Sequence, residues 1–113
     1  MLYYLSGSIT KTKNFKYFFN TKEVELRKLG IKDIFNPAKV DLRIPYTEET
    51  KRTVWKPYMK YDLKKLIDAD VLVLLPGWWK SKGVRLEIIV CLFLGIRIVR
   101  FNKLVRELSH GNS

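Results

Sequence analysis

A three-layer α/β fold of Rossmann-like (flavodoxin-like) type, with a parallel sheet of about four strands, is predicted by three features of the sequence. Short unbroken apolar runs, Leu2 to Ser6 and Val71 to Leu75, have the composition of strands. Segments of helical periodicity separate the strand-like runs. Turn residues stand between the two kinds of segment, notably Gly7, Gly30, Asn36-Pro37 and Pro76-Gly77. The 113 residues, 47% of them hydrophobic, suit one domain with one core, followed by a tail over 102–113.

Taken in order, Leu2 to Ser6 is strand one, closed by Gly7. From about Thr12 to Leu29 the positions Phe15, Phe18, Phe19, Leu26 and Leu29 recur at helical spacing, and Gly30 supplies the stop. Ile31 to Phe35 is a short second strand halted by Asn36-Pro37. Residues Ala38 to Thr53 show no clean period and read as a long loop with room for a turn of helix. Trp55 to Asp68 places Trp55, Met59, Leu63, Leu66 and Ile67 on one face of helix two, with Pro57 in its first turn. Val71 to Leu75 suits a central parallel strand, Ser81 to Leu94 is helix three, Ile96 to Phe101 is strand four, and Asn102 to Ser109 has the pattern of a terminal helix. In such a fold ligands bind beyond the carboxyl ends of the strands, here Ser6 to Lys11, Asn36 to Pro37, and Pro76 to Gly83.

Several function classes drop out. The longest apolar run, Ile88 to Leu94, is far shorter than the roughly 18 residues of a membrane span. The N-terminus has neither a basic region ahead of an apolar stretch nor a small-residue cleavage site, so no secretory leader is expected. One cysteine, Cys91, excludes an internal disulfide and fits a reducing cytoplasm. The single histidine, His110, lies in the polar tail, so neither a histidine relay nor a metal site is expected, and acid-base chemistry falls to carboxylates. The loop after strand one lacks both G-x-G-x-x-G and a Gly-Lys-Ser/Thr phosphate loop, which argues against dinucleotide oxidoreductases and P-loop phosphotransfer; no cofactor is expected. A net charge of +11 favours anionic partners such as nucleotides, nucleic acid or acidic protein surfaces. The lysines are nevertheless spread along the chain, as on any solvated basic surface.

Glu87 is the least ordinary residue. Leu86 to Leu94 is otherwise wholly apolar, the pattern of a helix buried nearly all round, and Glu87 sits near its N-terminus, where the dipole favours an ionised carboxylate. An ionised, oriented carboxylate is a nucleophile or base; it is equally a first-turn glutamate complementing the dipole or pairing with Arg85. Ser81 and Gly83 could hold a phosphate, or Ser81 could be an ordinary N-cap. Ser6-Gly7-Ser8 reads as an anion-binding turn or a plain one. Asp62 is a candidate acceptor for a sugar hydroxyl, or half of an exposed ion pair with Lys65. Trp55, Tyr58, Trp78 and Trp79 could stack on a base or serve core and interface. Trp78 and Trp79 cannot easily both be buried in a small domain, which suggests a dimer contact or a ligand lid. Asp68 and Asp70 bracket the turn into strand three and read as capping residues.

Three segments carry a resemblance: Tyr4-Leu5-Ser6-Gly7-Ser8-Ile9; Tyr58-Met59-Lys60-Tyr61-Asp62-Leu63 with Ala69-Asp70; and Leu75-Pro76-Gly77-Trp78 followed by Ser81-Lys82-Gly83-Val84-Arg85-Leu86-Glu87. Together they resemble the nucleoside 2-deoxyribosyltransferase superfamily from about Leu2 to Phe101. The likeness is greatest to its small, often phage-borne members, and the site is similar to that of Rcl-type 2'-deoxynucleoside 5'-phosphate N-hydrolases. The resemblance implies cleavage of the N-glycosidic bond of a deoxynucleotide, with Glu87 as nucleophile forming a covalent glycosyl-enzyme. It implies that Asp62 binds the sugar, that Tyr4 is an active-site tyrosine, and that Ser8 and Ser81 grip the 5'-phosphate. It also implies a homodimer or higher oligomer with sites at its interfaces. Thr10 stands where the hydrolase branch would carry an arginine, with Lys11 nearest to replace it, so nucleoside and nucleotide both stay open as substrates. A non-catalytic nucleotide-sensing module and a basic nucleic-acid-binding protein are the alternatives, the latter from the charge and from the interleaved aromatics and lysines of 53–65.

Overall fold

Side-chain alternation along the first strand, β1 (Leu2–Ser6), sets up both sides of the molecule: Tyr4 and Ser6 face one way, Leu5 the other. In the computed structural model, which describes residues 1–9, 14–40 and 51–110 with backbone alone at 51–55, three more strands join it: β2 (Asp33–Phe35), β3 (Val71–Leu74) and β4 (Arg97–Arg100). The sheet order is β2-β1-β3-β4 and every pair is parallel, with Tyr4 opposite Phe35 on one side and Leu72 on the other. The helices are α1 (Phe15–Lys28), α2 (Lys51–Ile67), α3 (Lys82–Leu94) and α4 (Phe101–His110).

Leu5, Val73 and Val99 pack with Phe19 and Leu26 of α1 and with Phe101 and Leu104 of α4. Tyr4, Leu72 and Leu74 pack with Leu66 of α2 and with Val84 and Cys91 of α3. The sheet is therefore covered on both faces, the three-layer α/β arrangement expected, and each large apolar side chain taken fully from water contributes roughly 1.5–3 kcal/mol. All four residues of β3 are buried, as its unbroken apolar run requires. Asp70 ties the starts of β1 and β3 together: its carboxylate accepts the Leu2 N–H at 2.7 Å. Gly7 lets β1 turn away closely, since a Cβ there would lie 3.1 Å from Phe19 Cζ and 3.2 Å from Leu75 Cβ. Among the described residues no helix is long and apolar enough to cross a membrane.

The structure differs from the sequence reading at several element ends. The second strand begins at Asp33, because Gly30, at φ +101°, and Ile31 are spent closing α1, their N–H groups returning to Arg27 and Leu26 oxygens at 3.1 Å. Pro37–Lys39 form a single 3-10 turn, a turn of helix of the kind the expected loop had room for but beginning one residue before Ala38, started by the Asn36 side chain, which accepts the Ala38 N–H at 2.9 Å. Residues 41–50 of that expected loop lie outside the described residues, as does the expected start of the first helix at Thr12. Helix two begins at Lys51 rather than Trp55, which puts Pro57 inside the helix instead of in its first turn. Proline there removes the N–H that would bond the Thr53 carbonyl. Buried Met59 and Leu66 lie downstream of it on the sheet side and hold the helix in place. Ile67, expected on that inner face, is exposed, and Asp62 stands in the buried stripe instead. Strand four stops at Arg100, and Phe101 opens α4 with no intervening loop.

The largest departure is α3. Val84, Glu87 and Cys91 form the stripe that meets the sheet, but the helix is not buried all round: Ile89, Leu92 and Phe93 face outward, Phe93 at 87% exposure. One sheet face and one neighbouring helix can cover only a stripe of a helix, and in a single chain this leaves the remaining apolar side chains outside.

Candidate active site

Period-two alternation brings Tyr4 and Ser6 to the face of β1 that looks toward α3, and helical spacing brings Glu87 in between Val84 and Cys91 on the stripe facing it. Both oxygens of the Glu87 carboxyl are engaged. The Tyr4 hydroxyl donates to Oε2, and Ser6 Oγ donates to Oε1 at 2.8 Å. Glu87 is 6% exposed and Asp62, from α2, 8% exposed. Asp62 Oδ1 has no hydrogen-bond partner among the described residues. Its expected partner is elsewhere: Lys65 Nζ lies over the Tyr61 ring, 5.6 Å from its centre. The exposed ion pair open in the sequence is thereby corrected, because Asp62 falls one turn from Met59 and one from Leu66, in the row that faces inward.

Burial pushes the Glu87 carboxyl up to about 7, against the pull of the Tyr4 and Ser6 hydroxyls, which favour its ionised form. Burial and the neighbouring Glu87 charge push Asp62 up to about 8. Tyr4, desolvated and next to both carboxylates, is raised well above the usual tyrosine range and so stays a hydrogen-bond donor. Burial, then the Glu87 charge, raises the Cys91 thiol to about 11. At neutral pH the cluster therefore holds one carboxyl close to its titration point, oriented by two hydroxyls, and a second that is largely protonated. Two acids held in different protonation states are the means by which one site can offer both a nucleophile and a proton donor.

Of the other candidates, Ser81 caps α3, its Oγ accepting the Val84 N–H at 3.3 Å, with Gly83 in the first turn of the same helix. Ser8 is buried just beyond the β1 end, after Gly7. Trp78 is half-buried and Trp79 is 57% exposed, their rings edge-to-face at 6.1 Å, so the pair is not buried together. Trp78 lies beside a separate cleft between the β3 end and α4. Lys11, and the side chain of Trp55, lie outside the described residues. No group of three or more His, Cys, Asp or Glu is placed to hold a metal ion among those described.

The sequence reading missed a third buried acid. Glu23 of α1 accepts from Arg27 Nε at 2.7 Å, from Lys39 Nζ at 3.0 Å and from Asn36 Nδ2 at 3.0 Å. These contacts hold its carboxyl below the usual glutamate range despite burial. Its place at Phe19 plus four and Leu26 minus three, within the apolar stripe, was the signal. The cluster edges a cavity of about 430 Å³ also lined by Phe35 and Tyr61. Phe35 stacks on the Tyr4 ring with centroids 5.0 Å apart, so the cavity begins one ring away from the Glu87 carboxyl's phenol donor. Asn36→Ala removes the bonds to Glu23 and Asn20 and the cap on Ala38 together. It is expected to cost about 2 kcal/mol in urea unfolding; an unchanged midpoint would mean that the network adds nothing.

No curated protein matches the chain. A family model does, over residues 1–100, which takes in the whole sheet and every member of the Tyr4–Ser6–Asp62–Glu87 cluster. The chain belongs to that family, the domain of unknown function DUF4406.

Proposed function

We propose that this protein cleaves the N-glycosidic bond of a 2'-deoxynucleoside 5'-monophosphate through a covalent bond between Glu87 and C1' of the sugar. The observation that carries this is the Glu87 carboxyl, buried, with each oxygen receiving a hydroxyl hydrogen bond from β1 and with Asp62 buried close enough for their charges to interact. The resemblance to deoxyribosyltransferases supplies the substrate class.

In this reading a Glu87 oxygen bonds to C1' as the C1'–N bond breaks, and the departing base takes its bonding electrons and one proton. Asp62 is able to give that proton. Once Glu87 is esterified its negative charge is gone, and with it one cause of the raised Asp62 pKa, so Asp62 becomes a stronger acid as the base leaves. Water then adds at C1', the C1'–Oε bond breaks, and the water's proton returns to Asp62. The sum is a free base and 2-deoxyribose 5-phosphate; a second base in place of water would make the reaction a transfer. The phosphate would lie toward Ser8 and the N-terminus of α3, and the base toward the cavity beside Phe35.

The test is incubation with the four deoxynucleoside monophosphates and the matching nucleosides, reading released base by chromatography and the covalent adduct by intact mass. Base release with a burst of adduct is expected. Neither, with any member of the panel, overturns the proposal. The same reading includes a homodimer, for which the outward row Ile89, Leu92 and Phe93 of α3 offers apolar surface. Sedimentation equilibrium giving a monomer at high protein concentration would remove that part.

A further inference from the structure

We propose that the cleft between Trp78–Trp79 and α4 binds single-stranded nucleic acid, the Trp79 ring taking a base and Arg100, Lys103 and Arg106 taking the phosphates. The cleft, about 330 Å³, is walled on one side by the two tryptophans and Pro76, and on the other by Arg100, Phe101 and the first turns of α4. None of Tyr4, Ser6, Asp62 and Glu87 lines it, and none of its walls is used in the proposed hydrolysis.

Three observations support it. The first is an aromatic platform. Trp78 is packed against the core formed by Leu72, Leu74 and Val84, and Trp79 projects from it, edge-to-face with Trp78. The turn that carries them is fixed, since the Trp79 carbonyl accepts from Arg85 Nη2 at 3.1 Å. A half-exposed indole backed by a second ring is what an unpaired base stacks on. The second is uncompensated charge. Arg100, Lys103 and Arg106 are all exposed, and none is in an ion pair among the described residues; Glu107, the acid nearest in sequence, pairs with Arg97 instead at 2.8 Å. The third is spacing. Lys103 and Arg106 stand one turn apart on α4, about 4.5 Å along its axis at 1.5 Å per helical residue, and Arg100 precedes them at the end of β4, so the three cations line the cleft from the strand end into the helix.

These features choose among anionic partners. An acidic peptide offers carboxylates for the cations but no ring for Trp79. A duplex offers phosphates but hides the faces of its bases. A mononucleotide offers base and phosphate but fills only part of the cation row. A single strand satisfies all three features, and the net charge of +11 adds attraction at long range.

The experiment uses the whole chain and a labelled oligothymidylate of about a dozen nucleotides, a length within the range one small binding module covers. Binding is read by anisotropy and by quenching of tryptophan fluorescence. Expected are quenching and a salt slope of about −2 in log affinity against log salt, the value for three phosphate contacts on a single strand. Trp79→Ala is expected to weaken binding about tenfold, with Trp79→Phe restoring most of it. Arg100→Glu with Arg106→Glu is expected to weaken binding more than tenfold and flatten the slope. Lys60→Glu with Lys64→Glu, an equal charge change on exposed positions of α2, is expected to leave most of the affinity. Equal loss from the two charge-reversed pairs would overturn the cleft in favour of diffuse attraction. Thymidine monophosphate binding as tightly as the oligomer, or polyglutamate competing as well as it does, would overturn the single-strand assignment. Glu87→Gln is expected to bind the oligomer unchanged, which separates this proposal from the hydrolase reading.

Discussion

Glu87→Gln is expected to lower the rate of base release by on the order of a thousandfold or more and to abolish the covalent adduct, with the protein still folded. The amide matches the carboxylate in size but not in hydrogen bonding. Glu87 accepts two hydroxyl donors, one on each oxygen, whereas glutamine accepts on one side and donates on the other. Either Tyr4 or Ser6 must turn its hydroxyl around, a local adjustment costing about 1 kcal/mol. Opposing that cost, the substitution removes the charge that Asp62 feels, and the Asp62 carboxyl should titrate below about 8 in the variant. Stability should therefore change little while chemistry stops. A Glu87→Gln protein that retained full rate and adduct would exclude Glu87 as the nucleophile, whatever the rest of the site does.

Stability should fall as pH rises from about 5 to about 8.5, the reverse of a protein held together by ionised carboxylates. The sign follows from the two raised acids. Glu87 moves from an ordinary value of 4.5 to about 7, and Asp62 from 3.8 to about 8. Across that interval the folded chain holds protons that the unfolded chain has released, so raising the pH favours unfolding. The contribution is fully present below the unfolded values, is lost on passing through the folded ones, and is flat above them. Because the two carboxyls share part of one repulsion, the combined loss is on the order of 5 kcal/mol. Glu23 works in the opposite sense, since its pairing with Arg27, Asn36 and Lys39 stabilises the fold above the ordinary glutamate value and is lost in acid. The stability maximum is thus expected near pH 5. Urea unfolding at pH 5, 6.5 and 8.5 reads the slope directly, and the Asp62→Asn, Glu87→Gln double variant should be nearly flat over that range. A wild-type midpoint that rose with pH would contradict the buried pair.

Much of the sheet was legible because apolar runs bounded by Gly and Pro leave few alternatives: Leu2 to Ser6 is the first strand residue for residue, and Val71 to Leu75 the third to within one. Helix three was legible to its cap. What its composition could not convey was coverage. Nine residues from Leu86 to Leu94 looked like a helix sheathed on every side, yet one chain supplies cover for a stripe only. Local pattern also misled at Asp62, where a lysine three residues on suggested a surface pair and the longer register from Met59 to Leu66 put the carboxyl inside. Pro57 reads as a helix start in any local window, and the preceding turn was hidden in a segment of mixed charge. The clustering of Tyr4, Ser6, Asp62 and Glu87 is a property of β1, α2 and α3 meeting on one face, which no single segment encodes.

The cysteine one turn beyond Glu87 bears on how the site can be labelled. Cys91 is fully buried, and its thiol, raised to about 11, is almost wholly protonated at neutral pH, so it is a poor nucleophile toward alkylating agents and oxidants. It is also the chain's single cysteine. Electrophilic sugar analogues offered to the native protein therefore meet no competing thiolate. A mechanism-based reagent carried into the site should modify a carboxylate, and the mass of the modified peptide spanning α3 can be read without first blocking or replacing a thiol.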